Sequence, residues 1–307
     1  MKFRFVLRRL LVTVPMVLVV ISLTWALIRL APGNFYASER KLPPAVEKNI
    51  RAKYGLDEPW YVQYGRVMKN ILSLDFGNSL KYETETVNEV LLRTVPVSAA
   101  LGICAYLLAL LVGTTMGTLA ALKQNSKLDY AAMGLSMLGI SLPNFVLGPI
   151  LVLIFSLSLY WLPPARWGGV LARNIVLPVL TLSAIYMAYI ARLTRAGMLE
   201  VLRSDYIRTA RAKGLTERQV VFRHALRGGL LPVVSFTGPA LALLVSGTVV
   251  VERIYALPGL GTYFLNANLN RDEPLILGIV AFTSILVLVF NLLVDIAYGF
   301  IDPRIRY

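Results

Sequence analysis

The chain has 307 residues, 57% of them hydrophobic and only 16% charged, and a formal net charge of +14. That is too apolar for an ordinary soluble domain and too long for a single membrane span. The basic excess comes with no aromatic-plus-basic platform for nucleobases, so it reads as charge that flanks membrane spans and sets their topology, not as a nucleic-acid interface.

Lys2, Arg4, Arg8 and Arg9 precede an uncharged run, 10–28, that exceeds a signal-peptide core and has no A-x-A site after it, so residues 1–30 read as a cytoplasmic N-terminus and a retained first span. Residues 31–94 are too polar to span and too ordered in pattern to be a linker. Pro43-Pro44 opens an expected helix over Ala45–Tyr54 that Gly55 ends, and Glu58-Pro59 opens another through Leu72. Val87–Arg93 leads into the second span. The segment is therefore expected to form a small helical cap outside the membrane.

Residues 95–307 hold five more uncharged runs, at 95–122, 130–165, 174–191, 228–251 and 274–294. A helix needs about 20 apolar residues to cross the hydrocarbon core. The run 130–165 is too long for one simple span and contains Pro143 and Pro149, which predicts a lead-in or kink and an end near Trp161–Pro164. Gly113 and Gly117 in the second span form a G-x-x-x-G pair for close helix packing, and Ser235, Gly238, Ala242 and Ser246 stand at helical spacing in the fifth. Cys104 is the one cysteine and His224 the one histidine, so an internal disulfide and a multi-histidine metal site are excluded. The count is six spans in an all-α, polytopic fold. With the N-terminus inside, short inside segments carry the Lys/Arg excess, so both termini are expected to be cytoplasmic.

Between the fourth and fifth spans lies the most informative stretch. Residues 192–227 carry nine Lys/Arg (192, 195, 203, 208, 211, 213, 218, 223, 227) against Glu200, Asp205 and Glu217. Each such cation costs about 2.5–3.5 kcal/mol at mid-bilayer, so the stretch is not in lipid. Met198–Lys213 has apolar or small residues near a 3.6-residue period and is expected to be helical; Gly214 stops it, and Thr216 with Gln219 can start another helix with a capping box. A basic helix–glycine–helix of this kind, within a loop at 192–229, looks like a docking element for a soluble partner.

The chain has no P-loop of its own, and no G-x-S-x-G, H-E-x-x-H or C-x-x-C is present. Glu252 and Asp295 are the carboxylates nearest the spans, and both read as interface residues, which argues against a self-contained proton- or ion-coupled carrier. A scaffold that recruits cytoplasmic proteins without moving substrate is the third reading.

Several segments taken together carry a family resemblance. They include Arg29-Leu30-Ala31-Pro32-Gly33, Lys53-Tyr54-Gly55-Leu56 and Leu74-Asp75-Phe76-Gly77. Ala121-Leu122-Lys123-Gln124-Asn125 and Ile207-Arg208-Thr209-Ala210-Arg211-Ala212-Lys213-Gly214-Leu215 follow. The last are Glu252–Gly261 with Pro258 and Gly259, then Arg271-Asp272-Glu273-Pro274 and Ile301–Tyr307. In this order and over the whole length the chain resembles the inner-membrane permease subunits of type I ABC importers, in the peptide/nickel branch and within it the oligopeptide permeases.

The resemblance implies that the loop docks in a cleft of a cytoplasmic ATPase through Asp205, Arg208, Thr209, Ala210, Arg211, Lys213, Gly214 and Leu215. The family's E-A-A-x-x-x-G signature, aligned on Gly214, reads Arg208-Thr209-Ala210 here, without the glutamate. A second homologous permease, two ATPase subunits and an extracytoplasmic peptide-binding protein are the implied partners. The implied place is the bacterial inner membrane. No cofactor is expected on this chain, with ATP and Mg on the ATPases. Glu252, Pro258, Gly259, Gly261 and Asp272 are the implied extracytoplasmic motif. Peptide is the expected cargo; dipeptides, nickel complexes or oligosaccharides are the alternatives.

Overall fold

The computed structural model describes residues 3–30, 55, 57–82, 84–164 and 166–301. The expected helix Ala45–Tyr54 and the tail 302–307 lie outside the described residues, as does the side chain of Asp295. Among the described residues the molecule is helical, without a named strand.

Each of the six apolar runs contains helix. Helix α1 is Phe3–Leu30, α3 is Val87–Leu122, α4 is Lys127–Ser141 and α5 is Asn144–Leu151, prolonged by π-helical turns over Val152–Ser158. Helix α6 is Val176–Leu202 and α12 is Glu273–Ile301. Between α1 and α3 stands α2, Trp60–Leu72, with Pro59 as its N-cap residue, as the Glu58-Pro59 signal predicts. Four helical stretches are long and apolar enough to cross a membrane alone: Val87–Leu122, Arg173–Leu202, Leu231–Ile254 and Glu273–Val294. Lys127–Ser141 and Asn144–Ser158 pass that test only as a pair, bent by 105°. The apolar part of α1, Val14–Leu30, is shorter.

Helix α3 starts at Val87 because Thr86 and Glu89 close a capping box, and it runs unbroken through the 94/95 boundary drawn from sequence. Its Gly113 and Gly117 face α6. A Cβ on Gly113 would lie 2.8 Å from the Met187 carbonyl. One on Gly117 would lie 2.6 Å from Thr194 Cβ and closer still to the Ala191 carbonyl. The two backbones touch there, which is the close packing the G-x-x-x-G spacing predicts. Leu101, Ala105, Leu182, Ile190, Val233 and Leu244 fill the central core between α3, α6 and the fifth apolar helix. At one end, hereafter the cap end, α2 lies against α1 and α12, joined by a 2.7 Å hydrogen bond between the hydroxyls of Ser22 and Tyr64, with Trp25 and Tyr64 edge to face at 5.3 Å.

Two expected helices are divided. The fifth run is α9, Leu231–Val245, and α10, Val249–Ile254, parted by Ser246-Gly247-Thr248 with Gly247 at φ +96°. Ser246 is therefore a helix C-cap, not a member of a continuous stripe. The single helix expected over Met198–Lys213 is also two. Helix α6 continues to Leu202, and Ser204 turns extended (ψ 154°) as the N-cap residue of α7, Asp205–Ala212. Ser204 Oγ donates to the Val201 carbonyl at 2.6 Å, closing the end of α6.

Candidate functional site

The basic segment at the loop end begins as the last turns of α6. Its α7 buries Ile207 and Ala210 against Ala121, Met198, Val220, Val221 and Ala225. Ala210 thus faces inward as an anchor, while Arg208, Thr209, Arg211, Lys213 and Gly214 are exposed and Leu215 is half-buried. The chain leaves α7 through Gly214 at φ +76°, with Gly214 N–H donating to the Arg211 carbonyl (2.9 Å) and Leu215 N–H to that of Ala210 (3.4 Å). This is a glycine-dependent helix end. Thr216 and Gln219 then form the expected capping box, opening the helical stretch α8, Glu217–Gly229, which contains π-helical turns over Val220–Ala225.

Charge holds this elbow together internally. Arg211 Nε donates to Glu217 Oε1 at 2.8 Å across the Gly214 turn, and Arg208 pairs with Asp205 one turn back. The loop is anchored to the helices by a contact that sequence reading missed. Arg195 on α6 donates from Nε and Nη2 to Asp129 Oδ1 and Oδ2 at 2.6 and 2.7 Å, and Asp129 is buried and also accepts the Asn125 N–H at 3.0 Å. Counted along the chain, Arg195 was one of nine basic residues and Asp129 the end of a short loop. Only the antiparallel contact of α4 with α6 brings them together.

At the cap end the 252–272 motif forms a buried polar knot. Glu252 is fully buried within the protein, two residues from the end of the Leu231–Ile254 stretch. Its Oε1 accepts the Ser98 hydroxyl (2.7 Å) and the Thr248 N–H (3.2 Å), and its Oε2 accepts the Thr262 N–H (2.9 Å). A carboxylate can lie out of water only when donors surround it in this way. Gly259 and Gly261 make the room: a Cβ on Gly259 would sit 2.5 Å from Oε1. Three residues on, the buried Tyr255 hydroxyl meets Thr181 Oγ1 at 2.7 Å and donates to the Gly148 carbonyl at 3.2 Å. One short helix, α10, therefore ties together α3, α5, α6 and α11, Leu260–Asn270. Pro258 is exposed at the turn before Gly259.

Asp272 stands apart from that knot. It is buried as the cap of α12 and accepts N–H groups from Leu80 (3.1 Å), Lys81 (3.2 Å) and Leu275 (3.3 Å), together with the Ser79 hydroxyl. Nearby, Arg93 makes two hydrogen bonds to Glu85 at 2.6 and 2.8 Å, and these hold the Glu85 carboxyl below its ordinary range. Among the described residues no group of three or more His, Cys, Asp or Glu side chains could hold a metal ion. The arrangement fastens helices to one another at both ends of the bundle.

Residues 113–307 match the family described as binding-protein-dependent transport system inner membrane component, and residues 2–102 match the N-terminal family of the same membrane components. The chain belongs to this family. It is a multi-pass inner-membrane permease component and not an enzyme. Among its relatives, the oligopeptide transport system permease protein OppB of Salmonella typhimurium is 47% identical over 304 residues, 99% of each chain. The dipeptide transport system permease protein DppB of Bacillus subtilis is 43% identical over 303 residues, covering 99% of this chain and 98% of that one. Among solved structures, an inward-facing MetNI methionine ABC transporter aligns with a TM-score of 0.58 at 18% identity, covering 69% of this chain and 96% of that one. That likeness establishes an ABC importer permease fold.

Proposed function

We propose that this chain is one permease subunit of an ATP-driven importer that carries oligopeptides across the bacterial inner membrane. It forms half of the path, beside a homologous second permease. It crosses the membrane six times with both termini in the cytoplasm, so residues 31–94 and the Glu252 knot lie on the extracytoplasmic side. Two cytoplasmic ATPases hold the ATP and Mg, and the exposed rim of α7 and Gly214 docks on one of them. An extracytoplasmic peptide-binding protein delivers cargo. The observation that carries this reading is end-to-end identity of 47% with a permease named for oligopeptide transport. The chemistry agrees: a peptide's charged ends cannot cross hydrocarbon unaided, so a polar path and an outside energy source are both required.

The 43% identity to a permease named for dipeptides supports a second cargo reading, with the same role and shorter peptides. Reconstitution of the complex in proteoliposomes with peptides of graded length decides between them, reading peptide-stimulated ATP hydrolysis and uptake together. Uphill accumulation by this chain alone, without ATPase subunits, would overturn the whole reading.

A further inference from the structure

The bend between α4 and α5 carries an inference beyond that role and resting on it. The two helices meet at 105° around Leu142-Pro143. On α4, Gly139 approaches α6 at Ala184 and Ala188. On α5, Gly148 approaches α6 at Thr181. The break is therefore level with residues 181–184 of the Arg173–Leu202 span, about 12–17 Å along it from Arg173 at a rise of ~1.5 Å per residue. In the proposed topology, with Arg173 at the outer edge of the span, a hydrocarbon core about 30 Å thick contains this depth.

Backbone at that depth must be hydrogen-bonded, buried in protein or wetted. Here it is not hydrogen-bonded through: Pro143 has no N–H for the Gly139 carbonyl, and among the described residues no backbone hydrogen bond runs from Asn144 or Phe145 back to α4. Nor does the chain cover these residues: Ser141, Leu142, Pro143 and Phe145 are exposed and Asn144 is half-buried. Contact with lipid would leave the Gly139 carbonyl and the Asn144 and Phe145 N–H groups facing hydrocarbon, which makes lipid the costliest of the environments open to the break.

We infer that the Ser141–Asn144 break lines the translocation path and that its open backbone, with the Ser141 hydroxyl and the Asn144 amide, hydrogen-bonds the main chain of the passing peptide. Contacts of this kind read what all peptides share. They guide cargo without selecting its side chains.

The test uses the assembled, cargo-transporting complex with Cys104→Ala in this chain. Ser141→Cys and Leu142→Cys are expected to react with a membrane-impermeant, positively charged thiol reagent faster by about an order of magnitude than Leu107→Cys on the exposed apolar face of α3, because thiolate and reagent both need water. Peptide delivered by the binding protein is expected to slow that reaction severalfold. Cysteines that are inert in the complex but reactive in the isolated chain lie against the second permease and overturn the inference. Cysteines inert in both face lipid and overturn it too, and reaction unaffected by peptide removes the cargo contact. Pro143→Ala supplies the missing N–H and is expected to cut uptake severalfold with the complex intact; unchanged uptake would count against the break. If the complex moves no peptide at all, the proposed function fails. If it moves peptide while the cysteines stay inert, only this inference fails.

Discussion

Ser98 Oγ, on α3, donates to Glu252 Oε1 on α10 at 2.7 Å while accepting the Leu260 N–H at 2.8 Å. One hydroxyl thus joins three helices inside an environment with no water to replace it. Glu252→Ala strands the Ser98 hydroxyl and the N–H groups of Thr248 and Thr262. Each stranded donor costs about 1–3 kcal/mol, so the variant is expected to lose stability by several kcal/mol, read as thermal unfolding in detergent. Ser98→Ala is expected to cost less, because Glu252 keeps its two backbone donors.

Asp129 and Arg195 give the same argument at the loop end. Breaking a fully buried ion pair on one side costs about 3–5 kcal/mol. Arg195 keeps 26% of its side chain exposed, so Asp129→Ala is expected to cost clearly less than that, and Asp129→Ala with Arg195→Met to recover part of the loss. A double variant no better than the single one would show that the pair is not the anchor.

Arg211 and Glu217 separate two roles of the same charge. Arg211→Glu sets two carboxylates across the Gly214 turn and is expected to reduce co-purification of the ATPase subunits. If Arg211 acts by closing the elbow, adding Glu217→Arg restores the pair and the association. A double variant that stays uncoupled would assign Arg211 to direct contact with the ATPase.

Glycine substitutions along the helices test close packing with a built-in control. Gly117→Ala pushes a methyl into α6 and is expected to destabilise by about 1–3 kcal/mol, as overpacking does. A Cβ at Gly134, inside α4, meets nothing within 4 Å. Gly134→Ala is therefore expected to stabilise by up to about 1 kcal/mol through chain entropy. The opposite signs are measured in one unfolding series.

Acidification tests the cap end. The Glu85 carboxyl is held below its ordinary range by the Arg93 hydrogen bonds, so its contribution is full above the unfolded value, about 4.3, and is lost as pH falls through the lower folded value. Glu85→Gln is expected to flatten the pH dependence of unfolding in that acid window and to leave it unchanged near neutrality.

Helix positions, the left-handed stop at Gly214, the Thr216 capping box, the Pro59 start of α2 and the Pro143 break were all legible in the sequence, because each depends on neighbours within a few residues. What sequence could not show depends on partners far along the chain. Glu252 read only as a carboxylate near the end of a span, and its partner Ser98 lies 154 positions away. Arg195 looked like one basic residue among nine until Asp129 met it. Local pattern also misled once: the apolar period of 198–213 continues through Ser204, but the serine caps α7 and turns the chain. Two glycines, 259 and 261, following an acid by seven and nine positions were the one sequence hint of a side chain nested among backbone N–H groups there.

Helix α6 runs without interruption for 27 residues, so it is a rod about 40 Å long with the elbow at one end. It is clamped to α3 at Gly113 and Gly117 and to α4 at Asp129, contacts that brace it against bending. A swing of about 10° at the elbow sweeps its far end through ~7 Å by that length alone. Leverage of that size is comparable to the width of an extended peptide, so modest motion at one surface can open or shut a passage at the other.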